Sequence, residues 1–383
     1  MKPCENQIDI FCGSQKLKIT KPVRLIELFA GIGAQAKALE NLNIPFEHYR
    51  VCEIDKYAVK SYNAIHNTNF QPTDITKLSS FDLGITDTDK YTYIMTYSFP
   101  CQDLSVAGKQ RGMGKGSRTR SGLLWEVERL LTECKEKPQI LLMENVPQVI
   151  GKKNIGNFAE WLKFLDGLGY KSKYKLLNAK NYGIPQNRNR CFMVSWLGDF
   201  YYEFPKPFEL RLRLGDMLEE KVNEKYYLSK EQTKKLIKII KRNWDLTKSP
   251  TLLQVGQLKG FASAGRVYSP LGLCPTIKTF QGGNAQPKII DIYNKREINS
   301  DICGTITASG NSSPTAAGTF GIYRNSRIRR LTPFECWRLM GFGDEDFNKA
   351  KESGISDTQL YKQAGNSIVV PVLENIFKKM ELI

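Results

Sequence analysis

Short apolar runs alternate with amphipathic stretches through the first half of the chain, and the alternation then stops. Residues 24–29, 46–52, 91–96 and 139–143 read as strands buried on both faces, with a shorter strand at 69–73 and two more at 173–177 and 191–196. Between them, 34–41, 57–67, 123–134 and 158–168 repeat apolar positions at helical spacing. Strand–helix alternation of this kind predicts an α/β fold with a largely parallel sheet. After about residue 197 the pattern dissolves into turns rich in Gly, Ser, Thr and Pro around a basic stretch, 229–242, that reads as helical. Residues 198–327 therefore form a second, loop-rich domain suited to recognition. Thr332 is placed to cap a helix over 333–340, with Glu335 at the capping-box position. Residues 361–367 open a final apolar helix, 368–380, that returns to the first domain. The expected boundaries are 1–197, 198–327 and 328–383.

Candidate chemistry sits where ligands bind in such sheets, at the carboxyl ends of strands. Cys101 follows one strand directly, in Phe99-Pro100-Cys101-Gln102. A lone cysteine is usually a core thiol. Here Pro100 fixes the backbone before it, the residues after it are small or polar, and a run of glycines and cations follows. Cations favour a thiolate, so Cys101 is the candidate nucleophile. Glu144 ends the strand after it, so its carboxyl group is expected to face the same crevice. Arg188 and Arg190 alternate, and on extended backbone they project to one side. Near the N-terminus, Phe29-Ala30-Gly31-Ile32-Gly33 makes a glycine turn between strand and helix, and Glu53 follows Gly33 by the about 20 positions typical of a ribose-binding acid. Asp74 either meets a nucleobase or caps a turn.

The 56 Lys and Arg outnumber the 39 Asp and Glu, a net charge of +17. Lys109, Arg111, Lys115, Arg118 and Arg120 cluster just after Cys101, and Arg324, Arg327, Arg329 and Arg330 cluster later. Clustered positive charge points to a polyanion, with nucleic acid foremost. Next to a nucleophile, the glycines and cations of 106–122 suggest a lid that closes on a phosphate backbone. Nine cysteines without CxxC spacing argue against a disulfide framework or cysteine-rich zinc site and for a reducing compartment. No metal is expected. With two histidines, His48 and His66, histidine is a poor candidate for general base. No run of about 18 apolar residues suggests a membrane span, and no signal peptide is recognisable.

In order, the set is Phe29-Ala30-Gly31-Ile32-Gly33, Glu53, Asp74, Phe99-Pro100-Cys101-Gln102, Glu144-Asn145-Val146, Gln186-x-Arg188-x-Arg190, Arg330-Leu331-Thr332-Pro333-x-Glu335 and Gln363-x-Gly365-Asn366-Ser367. This closely resembles the DNA (cytosine-5)-methyltransferase family of bacteria and phages, from about residue 24 to 380. The resemblance implies a Rossmann-like S-adenosylmethionine-dependent methyltransferase sheet with a smaller target-recognition domain at 198–327. It implies S-adenosyl-L-methionine as methyl donor, held by Phe29, Gly31, Gly33, Glu53, Ile54, Asp74, Ile75 and Pro100, with Asn366 and Ser367 closing the pocket. It implies catalysis by Cys101, Glu144, Arg188 and Arg190 on a cytosine flipped out of double-stranded DNA. Ser105, Lys109, Arg111, Arg118, Gln186 and Arg330 are the expected DNA contacts. So is a Thr-aliphatic pair, for which Thr305-Ile306 is the better match and Thr276-Ile277 the other candidate. A monomer in the cytosol of a bacterium or phage-infected cell is expected. Its setting is a restriction–modification system with a cognate endonuclease, or an orphan or phage gene. A tRNA cytosine-5 methyltransferase and a catalytically silent DNA-binding regulator are the rivals.

Overall fold

In the computed structural model the described residues are 15–101, 104, 112–116, 119–229, 231, 236–239, 249–258, 263–279, 286–291 and 327–382. Six strands form the main sheet: β1 (Val23–Leu28), β2 (Phe46–Cys52), β3 (Thr92–Tyr97), β4 (Ile140–Asn145), β5 (Lys171–Asn178) and β6 (Asn189–Trp196). Their order is β2-β1-β3-β4-β6-β5. β1 to β4 run parallel, and β6 is antiparallel to both β4 and β5. Helices α1 (Ala34–Asn41), α2 (Lys56–His66), α3 (Leu124–Glu133) and α4 (Ile155–Gly167) make the crossovers.

Side chains of successive strand residues point to opposite faces, and the two cores follow that parity. Ile140 and Leu142 of β4 join Phe192, Val194 and Trp196 of β6 in one core. Leu141 and Met143 join Cys191 and Met193 in the other. The second core is covered by α3 and α4, through Leu124, Val127, Leu130, Phe158 and Trp161. The first is covered by α1 and by the end of the chain.

That end comprises α5 (Pro333–Arg338), α6 (Asp344–Glu352), α7 (Asp357–Asn366) and α8 (Val370–Lys378). The expected capping box is formed: Thr332 Oγ1 accepts from the Glu335 backbone, and Glu335 Oε2 accepts from the Thr332 backbone at 2.9 Å. The final helix expected over 368–380 forms as α8, but the residues expected to open it do not belong to it. Residues 361–366 end α7, and α8 starts afresh with Pro371 in its first turn. α7 is tied to the start of α2, since Lys362 Nζ bonds Asp55 Oδ2 at 2.7 Å and Gln363 Nε2 donates to the Tyr57 carbonyl at 2.9 Å.

A second sheet has the order β7-β8-β9-β10-β11, from Leu236–Ile239, Gln254–Leu258, Arg266–Tyr268, Lys288–Asp291 and Arg327–Arg330. Its small core is Val255, Leu258, Val267, Ile290 and Ile328. Of the helix expected over 229–242, residue 231 is helical and 236–239 instead form strand β7, antiparallel to β8; 230, 232–235 and 240–242 lie outside the described residues. The sheet also runs on to Arg330, past the expected boundary at 327. The strand expected at 69–73 does not form. The Asn63 side chain takes both backbone groups of Phe70, at 2.9 Å each, and Pro72 has no N–H to offer a neighbour.

Candidate active site

Strand parity brings the first two site residues together. Glu144 shares the face of Leu142, Arg190 the face of Phe192, and β4 pairs with β6 so that Glu144 lies opposite Phe192. Arg190 Nε therefore reaches Glu144 Oε1 at 3.1 Å. Glu144 is 8% exposed. Burial pushes its pKa up, against the pull of Arg190 and Arg188.

Asn145, the next residue, points to the other face. Its Nδ2 donates to the Phe99 carbonyl at 2.9 Å and its Oδ1 accepts from Val146 N–H at 2.9 Å. Ser121 Oγ donates to the Pro100 carbonyl at 2.7 Å. These two bonds hold the loop that carries Cys101, which is half-buried and without a disulfide partner. Burial, and next the charge of Glu144, raise the thiol's pKa; Arg190 and Arg188 oppose them. The cations expected to favour a thiolate are present in Arg190 and Arg188, but burial and Glu144 outweigh them.

The two arginines do different work. Arg188 is buried, and its guanidinium donates to three carbonyls, those of Ile277 at 2.8 Å, Gly365 at 3.0 Å and Ser367 at 2.7 Å. Burial, with Arg190 beside it, brings its pKa down to about 9, so it stays charged at neutral pH. It clamps the second domain and the end of α7 onto the sheet. Gln186, expected at DNA, is likewise buried: Nε2 donates to the Leu339 carbonyl at 2.7 Å and Oε1 accepts from Ile277 N–H at 3.0 Å. Cys274–Pro275 pairs in parallel with Gln186–Asn187, and Thr276 Oγ1 donates to the Asn187 carbonyl at 2.7 Å. Thr276-Ile277 thus lies against this element. Thr305-Ile306, Ser105, Lys109, Arg111 and Arg118 lie outside the described residues. Gly365 has to be glycine, because a Cβ there would stand 2.2 Å from the Lys278 backbone.

The late arginine cluster is mostly structural. Arg329 is fully buried between Asp291 and Glu335, at 3.1 and 2.7 Å. Arg327 pairs with Glu224 at 2.6 Å, and Arg330 Nη2 donates to the Lys225 carbonyl at 2.6 Å. In the basic run after Cys101, Lys115 pairs with Glu128 at 2.6 Å.

The glycine turn forms a separate cradle. Phe29 and Gly31 take left-handed backbone, φ 60° and 58°, a strained choice for Phe29. Gly31 N–H donates to Glu53 Oε2 at 2.9 Å, and a Cβ on Gly31 would meet only open space. Ile54 beside it is 67% exposed, Pro100 is half-buried and Asn366 is exposed. Gly33 is glycine for packing, since a Cβ would lie 2.6 Å from the Tyr62 ring. Asp74 takes the turn-capping role: Oδ1 accepts from Thr76 N–H at 3.0 Å, which holds its pKa below the usual range, and Ile75 is buried. Ser367 is buried with its carbonyl on Arg188.

An α/β sheet with a cysteine, a buried carboxyl and an arginine gathered at its strand ends defines a transferase-like crevice, and the comparisons specify it. Residues 23–382 match the model of the C-5 cytosine-specific DNA methylase family. The chain is 32% identical to an orphan methyltransferase, M.SPBetaI, of Bacillus phage SPbeta, over 94% of this chain and 97% of that one. It is 33% identical to the type II methyltransferase M2.ScrFI of Lactococcus lactis subsp. cremoris, over 94% and 99%. Its fold matches the Entamoeba histolytica methyltransferase EhMeth with a TM-score of 0.65 at 19% identity, over 94% and 98%. The chain belongs to the C-5 cytosine-specific DNA methylase family and is a DNA (cytosine-5-)-methyltransferase. Among the described residues no helix is long and apolar enough to cross a membrane.

Proposed function

We propose that the enzyme methylates C5 of a cytosine flipped from double-stranded DNA, with Cys101 as nucleophile, Glu144 as acid and Arg190 as oxygen-binding residue. The observation that carries this is the buried Glu144–Arg190 pair, 3.1 Å apart, whose charges both act on the Cys101 thiol.

S-adenosyl-L-methionine fits the cradle around the glycine turn. The open space at Gly31 and the exposed apolar side chain of Ile54 suit a flat ring and its chain, and Glu53 suits ribose hydroxyls. Phe29, Pro100 and Asn366 would complete the walls. When bound, the cofactor supplies an electrophilic methyl group on a sulfonium.

Cytosine C5 is a weak nucleophile. Bond formation between Cys101 Sγ and C6 pushes the ring's electrons toward N3 and leaves an enamine nucleophilic at C5. Glu144 donates a proton toward N3, and Arg190 holds O2. Burial raises the Glu144 pKa, so the carboxylate takes up a proton more readily than an exposed one would. Cys101 and Glu144 oppose each other's ionisation, so one proton passing from the thiol to the carboxylate yields nucleophile and acid together. After methylation, water takes the C5 proton, its electrons restore the ring double bond and expel the Cys101 thiolate, and the N3 proton returns to Glu144.

Flipping the base costs a few kcal/mol, offset by phosphate contacts from the basic run after Cys101. Thr276-Ile277, anchored on Gln186 and Arg188, and Thr305-Ile306, outside the described residues, are the two candidates for the pair that faces the target. The setting is modification of host or phage DNA, with or without a cognate endonuclease, by a cytosolic monomer. A duplex carrying 5-fluorocytosine tests the chemistry, because fluorine at C5 blocks the final proton loss. A Cys101-dependent covalent complex in the presence of the methyl donor is expected, and its absence with active enzyme overturns the mechanism.

A further inference from the structure

The chain has two histidines, His48 in β2 and His66 at the end of α2, and the fold brings both against Glu40 of α1. Glu40 Oε1 lies 2.6 Å from His66 Nδ1 and 3.7 Å from His48 Nε2. One donor atom from each residue falls within 4.8 Å of the others. Residue spacing gave no hint of this, because the three come from three elements.

The other ring nitrogen of each histidine has a partner of its own. His66 Nε2 lies 3.2 Å from the Ile32 carbonyl, which only accepts, so the ring proton belongs there. His48 Nδ1 lies 2.9 Å from the Tyr62 hydroxyl. That hydroxyl gives its single proton to Glu27 Oε2 at 2.6 Å, and so accepts from His48 Nδ1–H. With one proton on each ring at these positions, His66 Nδ1 and His48 Nε2 are the nitrogens left beside the Glu40 carboxylate. Together the three residues offer donor atoms within 4.8 Å of one another, a set that a cation can bridge in place of the proton His66 shares with Glu40. Lys37 does not supply that cation: its Nζ is 3.5 Å from Glu40 Oε2 and closer, at 2.8 Å, to Asp346 Oδ1.

We propose that Glu40, His48 and His66 hold a divalent transition metal of the zinc class. Imidazole and carboxylate ligands suit such an ion, and a ligating histidine commonly donates its other N–H to a carbonyl or similar acceptor, as both do here. Donors on tetrahedral zinc lie about 3.3 Å apart, given bonds of about 2.0–2.1 Å; Glu40 and His66, 2.6 Å apart, would separate on binding, and Glu40 and His48, 3.7 Å apart, would close. The His66 side chain is fully buried, while those of Glu40 and His48 are 31% and 20% exposed, so the ion has a path in and water can take the fourth position. The site lies beneath the glycine turn. His66 holds the Ile32 carbonyl, and a Cβ on Gly33 would lie 2.3 Å from His66 Nε2. The metal fixes the ring that supports the turn, and its link to the cofactor rests on the reading of that turn given above.

The test uses full-length protein stripped with chelator, without DNA or cofactor, so it stands apart from the methylation chemistry. Titration with Co²⁺, followed by calorimetry and visible absorption, is expected to give one ion per chain with d–d bands and no thiolate charge-transfer band. His48→Gln and Glu40→Gln, both at partly exposed positions, are each expected to weaken binding at least tenfold. They are also expected to abolish the rise in unfolding temperature that Co²⁺ gives the native enzyme. No binding at millimolar Co²⁺, a thiolate band, or equal affinity in both variants overturns the proposal. So does an ¹⁵N spectrum in which His66 keeps both ring protons at saturating metal, which would assign it as an imidazolium paired with Glu40.

Discussion

Asn145 Nδ2 donates to the Phe99 carbonyl at 2.9 Å, and this one bond joins the strand that carries Glu144 to the loop that carries Cys101. Both partners are buried. The separation of nucleophile and acid therefore depends on a neighbour of each. Asn145→Ala leaves a buried carbonyl unpaired, a cost of about 1–3 kcal/mol. The expected outcome is a modest loss of thermal stability with a larger fall in turnover; turnover falling no more than stability would make the bond merely structural.

The proton shared between Cys101 and Glu144 predicts a pH dependence. Burial and Glu144 hold the Cys101 pKa above the ordinary thiol value, so in the free enzyme Cys101 alkylates slowly at neutral pH and faster as pH rises through that raised pKa. Glu144→Gln removes the opposing charge and leaves Arg190 and Arg188, so the alkylation profile moves to lower pH. Mass spectrometry of the Cys101 peptide reads this apart from the other cysteines. An unmoved profile would show that the two groups do not interact.

Arg188 and Arg190 predict opposite phenotypes. Arg188→Met orphans three carbonyls and lowers stability by roughly 3 kcal/mol or more, seen as a lower urea midpoint. Arg190→Met removes a partner from Glu144, which can take up a proton because its pKa is already raised, so the stability loss is smaller and methylation fails.

The net charge of +17 predicts salt-sensitive DNA binding. Affinity should fall at least tenfold between about 50 and 200 mM salt, and Lys109→Ala or Arg111→Ala should each reduce the log–log slope by roughly 0.9. A flat salt dependence would remove the phosphate-clamp reading.

The place of Glu144 at the carboxyl end of a strand was legible in the sequence because strand patterns are local. The roles of Arg188 and Gln186 were not. Their partners, Ile277, Leu339 and Gly365, lie far along the chain, and Ile277 is brought to them by the short pairing of Gln186–Asn187 with Cys274–Pro275. Arginine clusters misled for a similar reason, since Arg329 looks like a nucleic-acid contact until Asp291 and Glu335 enclose it. The strand expected at 69–73 failed because a side chain, Asn63, satisfied the Phe70 backbone before any neighbouring strand could.

The most direct test of the central claim is expression of the native enzyme and Cys101→Ser in a host lacking cytosine methylation, followed by bisulfite sequencing of the host DNA. The account predicts protected cytosines confined to one short recurring sequence with the native enzyme and none with Cys101→Ser, while the purified variant still binds DNA. Protection by the variant, or complete conversion with folded native enzyme present, would contradict it.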